Sequence, residues 1–161
     1  MPPLARVELL AAARAFCDSF AQKKPPEEIL SRLSADVRIR EHGLAQLAPF
    51  LGREYRGIDG ARAYFGAVGR LLSYEDMRFV EFIAGASSDE DEDGGGDGDG
   101  GKVVARGSAR FTWTETGQSW DETFVYILGF DGRARLNRYE VWADSGAAYL
   151  ASRGDLGEEE K

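Results

Sequence analysis

Apolar residues recur every three or four positions near the start of the chain, at Val7, Leu10, Ala13, Phe16 and Phe20, the spacing that gathers side chains on one face of a helix. A first helix over 4–22 is predicted, stopped by Pro25 and Pro26. A short second helix over 27–33 follows, because Pro26 fits a first turn and Glu27 and Glu28 suit its positive end. The period then drops to two. Val37, Ile39 and Glu41 alternate with Arg38, Arg40 and His42, which predicts a strand with one covered face that ends in a carboxylate. After a loop through Pro49 and Gly52, Asp59 is placed to cap a third helix running to about Leu72. Its apolar stripe is Ala61, Phe65, Val68 and Leu72, with Ile58 as a staple.

The remainder alternates. Met77, Phe79, Glu81 and Ile83 stand against Arg78, Val80 and Phe82. From Lys102 to Thr114, Val103, Ala105, Gly107, Ala109, Phe111 and Trp113 stand against Val104, Arg106, Ser108, Arg110 and Thr112. Gly117 lies in a short turn, and the next strand sets Trp120, Glu122, Phe124, Tyr126, Leu128 and Phe130 on one face. Asp131-Gly132 is a two-residue hairpin signal. A last strand over 135–143 places Leu136, Arg138, Glu140 and Trp142 on the covered face. That leaves Thr123, Val125 and Ile127 beside Tyr139 and Val141 on the outer one. Asp144 or Ser145 caps a final helical turn through Leu150. Helices, one strand, a helix and then a meander is an α+β order, since hairpin-linked strands cannot build a parallel βαβ sheet.

Composition and charge refine this picture. The 161 residues, 43% of them hydrophobic, suffice for one core, and a single domain over 1–153 with a polar tail over 154–161 is expected. The net charge of −8 is concentrated: Asp89 to Gly101 holds seven acids and six glycines, so the rest of the chain carries only −1. This stretch, within a loop at about 86–101, reads as a disordered acidic insertion. Asp89, Asp91, Asp93 and Gly94 match the opening of a calcium loop, but Gly100 stands where the bidentate Glu belongs and Gly96 where an apolar anchor belongs. No basic face is apparent, which argues against nucleic-acid binding. Cys17 is the only cysteine and is expected in the core, in a reducing compartment. Arg6, Glu8, Arg14 and Asp18 interrupt the first segment, so neither a signal peptide nor a membrane partner is expected. A cytoplasmic location is the simplest expectation, with an Ala/Arg-rich start that leaves organelle import open. One histidine and no cysteine pair give no metal spacing, and no dinucleotide or phosphate-loop fingerprint is present. No cofactor or metal is expected.

The ending GFDGRARLNRYEVWAD resembles the last hairpin of SnoaL-like proteins, and SADVRIREHG followed by YRGIDGARAYF resembles their first strand and third helix. The resemblance covers roughly Leu4 to Leu150, and the acidic loop is no part of it. It implies the cone-shaped α+β fold of the nuclear transport factor 2-like (NTF2-like) superfamily, with helices packed on a curved antiparallel sheet and a pocket at the wide end. In members resembling ketosteroid isomerases and epoxide hydrolases, an acid near the end of the first strand and another two residues before the last-strand aromatic transfer protons. Those positions hold Glu41 and Glu140 here, with Glu where Asp is common.

The covered faces bring three acids, Glu41, Glu122 and Glu140, together with Arg138, Trp113, Tyr126 and Trp142. A carboxylate among aromatic rings is costly to ionise, so its pKa rises toward the range of a general acid or base. Glu41 and Glu140 are therefore the candidate catalytic pair, expected to face one cavity from opposite walls, with Arg138 able instead to neutralise Glu140 in a structural ion pair. His42 is a third candidate if a turn at Gly43 re-aims it, whereas strict alternation sets it opposite Glu41. The small residues Ala105, Gly107 and Ala109 leave room either for a cavity or for a bulge and close packing. Two functions remain open. One is a cofactor-independent isomerase, cyclase or dehydratase acting on a hydrophobic small molecule. The other is a non-catalytic member that binds a ligand or protein. A homodimer is expected under both.

Overall fold

The computed structural model describes residues 3–85 and 99–157. The acidic stretch lies outside the described residues except at 99–101, and so does the end of the tail. Four helices and six strands follow one another as α1 (Arg6–Ala21), α2 (Pro26–Leu30), β1 (Leu33–His42), β2 (Glu54–Arg56), α3 (Gly57–Leu71), β3 (Leu72–Gly85), β4 (Asp99–Trp113), β5 (Ser119–Asp131), β6 (Leu136–Trp142) and α4 (Ser145–Ser152). One sheet takes the order β2-β1-β6-β5-β4-β3. Four of its pairings are antiparallel, whereas β1 runs parallel to β6. That pair is not joined by a hairpin; the rest of the sheet and α3 supply the crossover that parallel strands need.

The helices lie where the apolar spacing predicts, with local differences. The buried face of α1 is Leu9, Ala13, Phe16, Cys17 and Phe20, while Val7 is 74% exposed. Burial pushes the Cys17 thiol well above its ordinary pKa, leaving it a small apolar side chain. The N-cap of α3 is Arg56 rather than Asp59, because Gly57 at φ 69° turns β2 directly into the helix. Asp59 then sits in the first turn, near the positive end of the helix. The Asp144 carboxylate accepts from the Ala147 N–H and caps α4 as expected. Among the described residues no helix is long and apolar enough to cross a membrane.

Two strands depart from strict alternation, and both departures matter. In β6, Phe130 faces Leu136 and Gly129 faces Arg138, so Asn137 is an extra residue without a counterpart on β5. A one-residue bulge reverses which side chains face inward beyond it. Leu136, Tyr139 and Val141 are therefore buried, and Arg138, Glu140 and Trp142 point to the outer face, the reverse of the alternation read from Leu136. In β3, Phe79 faces Gly107 and Glu81 faces Arg106, leaving Val80 as the extra residue, 62% exposed. Phe82 and Ala84 pack inward after it, and Ile83 is exposed. A second irregularity lies between Glu75 and Arg78, where Asp76 has φ 55°. Gly107 sits opposite these bends: a Cβ there would lie 2.8 Å from the Phe124 ring and 3.0 Å from the Arg78 carbonyl. At Gly107 the missing side chain thus admits an aromatic ring and a bulged strand.

Deleting Asn137 should leave unfolding cooperative, because Arg138 then follows Leu136 directly and Tyr139 and Val141 stay inward opposite the same β5 partners. Asn137→Ala keeps the residue count and should cost about 1 kcal/mol or less. Urea titrations followed by near- and far-ultraviolet circular dichroism compare the two, and loss of the cooperative transition in the deletion variant would contradict this account.

Candidate functional site

The inner face of the sheet and α3 enclose a cavity of about 390 Å³. Its walls are mainly aromatic and aliphatic, with Phe65 and Val68 from α3, Met77 from β3, Phe124 from β5 and Val141 from β6. Phe50 and Leu51 close one side from the loop after β1. That loop is tied back by the Gly52 N–H, which donates to the Glu41 carbonyl at 3.0 Å. Gly52 has φ 72°, and a Cβ there would meet the Gly43 carbonyl at 2.7 Å, so the return requires glycine.

Glu41 reaches the cavity because it follows Val37 and Ile39 on the inner face of β1. It is 8% exposed, and Tyr64 of α3 donates its O–H to Glu41 Oε1 at 2.6 Å. No protein donor to Glu41 Oε2 is present among the described residues. Burial pushes the Glu41 pKa up to about 7, against the lowering effect of the Tyr64 hydroxyl and with added upward pressure from the charge of Glu122. The group is thus poised to exchange a proton near neutrality.

Glu122 is the second acid of the cavity and differs in its partners. Its Oε1 accepts from the Trp120 indole N–H at 2.7 Å and its Oε2 from the Asp144 N–H at 3.2 Å. Burial raises its pKa, the two donors oppose the rise, and the charge of Asp144 adds to it. Both oxygens are engaged, so Glu122 is anchored to the start of α4. Tyr126 and Tyr139 complete the polar lining. Burial lifts both phenols well above their ordinary pKa, so both remain protonated.

Of the residues singled out in the sequence, Glu41, Glu122 and Tyr126 line this cavity together. Trp113 packs beside it, with Trp120, Phe50 and Leu51 in a second apolar cluster. Glu140, Arg138, His42 and Trp142 do not reach it, and the expected Glu41–Glu140 pair across one cavity is corrected accordingly. Glu140 lies on the outer face, between the Arg138 guanidinium and His42 Nε2, the latter at 3.0 Å. His42 stacks on Trp142 with ring centroids 4.0 Å apart and planes 7° from parallel. The bulge at Asn137 turned the β6 residues outward, and regular alternation to the end of β1 did the same for His42, which pairs with Trp142 in the ladder. Tyr139 comes inward by the same bulge. Tyr64 was legible, since it stands three residues after Ala61 and four before Val68 on the helical stripe. Among the described residues no group of three His, Cys, Asp or Glu side chains is arranged to hold a metal ion.

No protein-family model matches this sequence, and no curated protein matches it. Solved structures do resemble it. An NTF2-like protein of unknown function from Burkholderia pseudomallei is 20% identical, with a TM-score of 0.68 over 89% of this chain and 96% of that one. TerC, co-crystallised with polyporic acid, is 20% identical, with a TM-score of 0.69 over 91% and 98%. A ketosteroid isomerase-like protein from Erwinia carotovora is 15% identical, with a TM-score of 0.60 over 86% and 95%. At such identities the fold is what is shared, and it agrees with the strand order and helix placement described above: this chain has the NTF2-like fold.

Proposed function

We propose that the cavity binds a hydrophobic small molecule and moves a proton on it without a cofactor, with Glu41 as the base. The observation that carries this reading is the Glu41 carboxylate, buried in an apolar cavity, with Oε1 held by Tyr64 and no protein donor to Oε2 among the described residues. Glu41 Oε2 takes a proton from carbon while Tyr64 holds Oε1 in place. Charge developing on a neighbouring substrate oxygen is met by the Tyr126 O–H. A donor aimed at developing charge in a dry site is worth more than in water. Isomerisation, cyclisation and dehydration all follow from this pair of roles, according to which bond the released electrons form or break. The resemblance to a ketosteroid isomerase-like protein supports the class of chemistry, and that to TerC, co-crystallised with polyporic acid, supports a small-molecule ligand.

The test uses 2-tetralone, a bicyclic ketone with exchangeable protons, in D2O. Exchange followed by NMR should accelerate as pH rises through about 7, and Glu41→Gln should slow it by about 100-fold or more. Equal rates in the two proteins would reject Glu41 as the base.

Stability provides a second measurement. Because burial raises the Glu41 pKa, the fold favours its protonated form, and the cost of ionising it is absent below the ordinary value of 4.5 and complete above about 7. At pH 8, Glu41→Gln should therefore be more stable than the wild type, by up to about 3 kcal/mol, with the difference vanishing toward pH 4. Urea unfolding across this pH range would show it; a constant difference would argue that Glu41 is not the titrating group.

A second reading, a non-catalytic ligand- or protein-binding homodimer, is favoured by the outer face. Trp142 is 40% exposed there and pairs with Val125, next to Ile127; Tyr139 and Val141, expected on this face, are inside. Light scattering should then give twice the chain mass, and Trp142→Glu should halve it. A monomeric wild type would remove this reading.

A further inference from the structure

Charge is distributed unevenly along the cavity. Glu41 and Glu122 are buried in its depth, and the exposed Asp144 stands beside Glu122 at the start of α4 with its carboxylate engaged in capping. Cations occur only where the lining residues reach solvent, at Lys23 and Lys24 in the turn between α1 and α2, near Gly69 and Ser73 at the junction of α3 and β3. Those exposed residues mark a mouth. A Cβ added at Gly69 would meet nothing within 4 Å, so the helix side of the opening is clear.

The lysines are held there. Lys23 has φ 51°, the left-handed residue that closes the C-terminal cap of α1, with its N–H donating to the Phe20 carbonyl at 3.0 Å. Its Nζ donates to the Tyr74 carbonyl at 2.7 Å and lies 5.0 Å from the centroid of the Tyr74 ring. Tyr74 is fixed in turn by its O–H, which donates to the Phe20 carbonyl at 2.8 Å. The Lys24 N–H donates to the Ser19 carbonyl at 2.8 Å, and Pro25 follows at φ −57°. Lysines after a helix often serve only to complement its negative end. Here the Lys23 ammonium is turned away from the carbonyls of α1 to a strand across the mouth, which that role does not require, and it retains two further N–H donors.

We infer that the ligand of this cavity is amphipathic, with an anionic end group held at the mouth by Lys23 and Lys24 and a hydrophobic body that extends to Glu41. The arrangement sets the direction of binding: an anion is repelled by the acids in the depth and attracted at the rim, so the molecule enters body first. This inference rests on the proton-transfer reading for what happens at Glu41, and on the mouth alone for the charge of the ligand.

The test compares two probes, a naphthyl ketone ending in a carboxylate and the same ketone ending in a primary amide, by isothermal titration calorimetry and by exchange of the protons next to the ketone in D2O. The carboxylate should bind the wild type about tenfold more tightly at low salt, as expected for a charge-assisted contact, and lose that advantage as salt rises. Lys24→Gln should reduce the preference and Lys23→Gln with Lys24→Gln should abolish it, while the affinity for the amide stays constant. Circular dichroism confirms that the double variant folds, and the single exposed Lys24→Gln serves if it does not. Equal affinity of the two probes in the wild type, a preference that survives in Lys24→Gln at full size, or no binding of either probe would overturn the inference. Charge-dependent binding without exchange would instead reject proton transfer and leave the anionic ligand standing. Exchange without charge preference would do the reverse.

Discussion

Strand β6 has to satisfy two neighbours at once. It runs parallel to β1 on one side and antiparallel to β5 on the other, and it must still present apolar side chains to the interior. The extra residue at Asn137 resolves that conflict. Leu136 packs under the helices before the bulge, and Tyr139 and Val141 enter the cavity after it. Everything on the inner wall depends on this parity: the Tyr139 ring packed edge-on against Tyr126, the apolar surface facing Glu41, and the exclusion of Glu140 and Arg138 from a space that their charges would otherwise fill with water.

With Glu140 removed to the outer face, the chemistry of the interior is asymmetric in a useful way. Two carboxylates share one cavity, but Glu122 spends both oxygens on N–H donors and Glu41 only one on Tyr64. A carboxylate with both oxygens engaged is an anchor, and one with a free oxygen in an apolar space is a proton acceptor. The two side chains are similarly little exposed, at 8% and 9%, and differ in how many of their oxygens have partners.

Much of this was present in the order of residues along the chain. The alternation through β1, β4 and β5 placed Glu41, Glu122 and Tyr126 inward, and the helix-then-meander order led to the α+β architecture. The failures share a cause. A bulge leaves no mark on composition: Asn137 and Val80 are ordinary residues within regular runs, and only the pairing with a neighbouring strand reveals that one position too many is present. Every side chain beyond such a point is assigned to the wrong face, which is how Glu140 and Trp142 were expected inside and Tyr139 outside. The cap of α3 was missed for a related reason, because Gly57 joins a three-residue strand to the helix with no loop in which Asp59 could act.

The irregular β3 also bears on how the protein behaves in a crowded solution. It is an outermost strand, fourteen residues long, with Val80 and Ile83 exposed, and a flat edge of that length is a template on which other chains can add strands. Its two irregularities, one at each side of Arg78 and Phe79, twist the backbone away from a straight ladder, and Glu75 and Asp76 put negative charge along it, Glu81 being paired with Arg106. An incoming strand would have to match two offsets and accept the charge of Glu75 and Asp76. The same bends that make room for Phe124 over Gly107 therefore protect the molecule from edge-to-edge aggregation, and direct association toward the faces of the sheet.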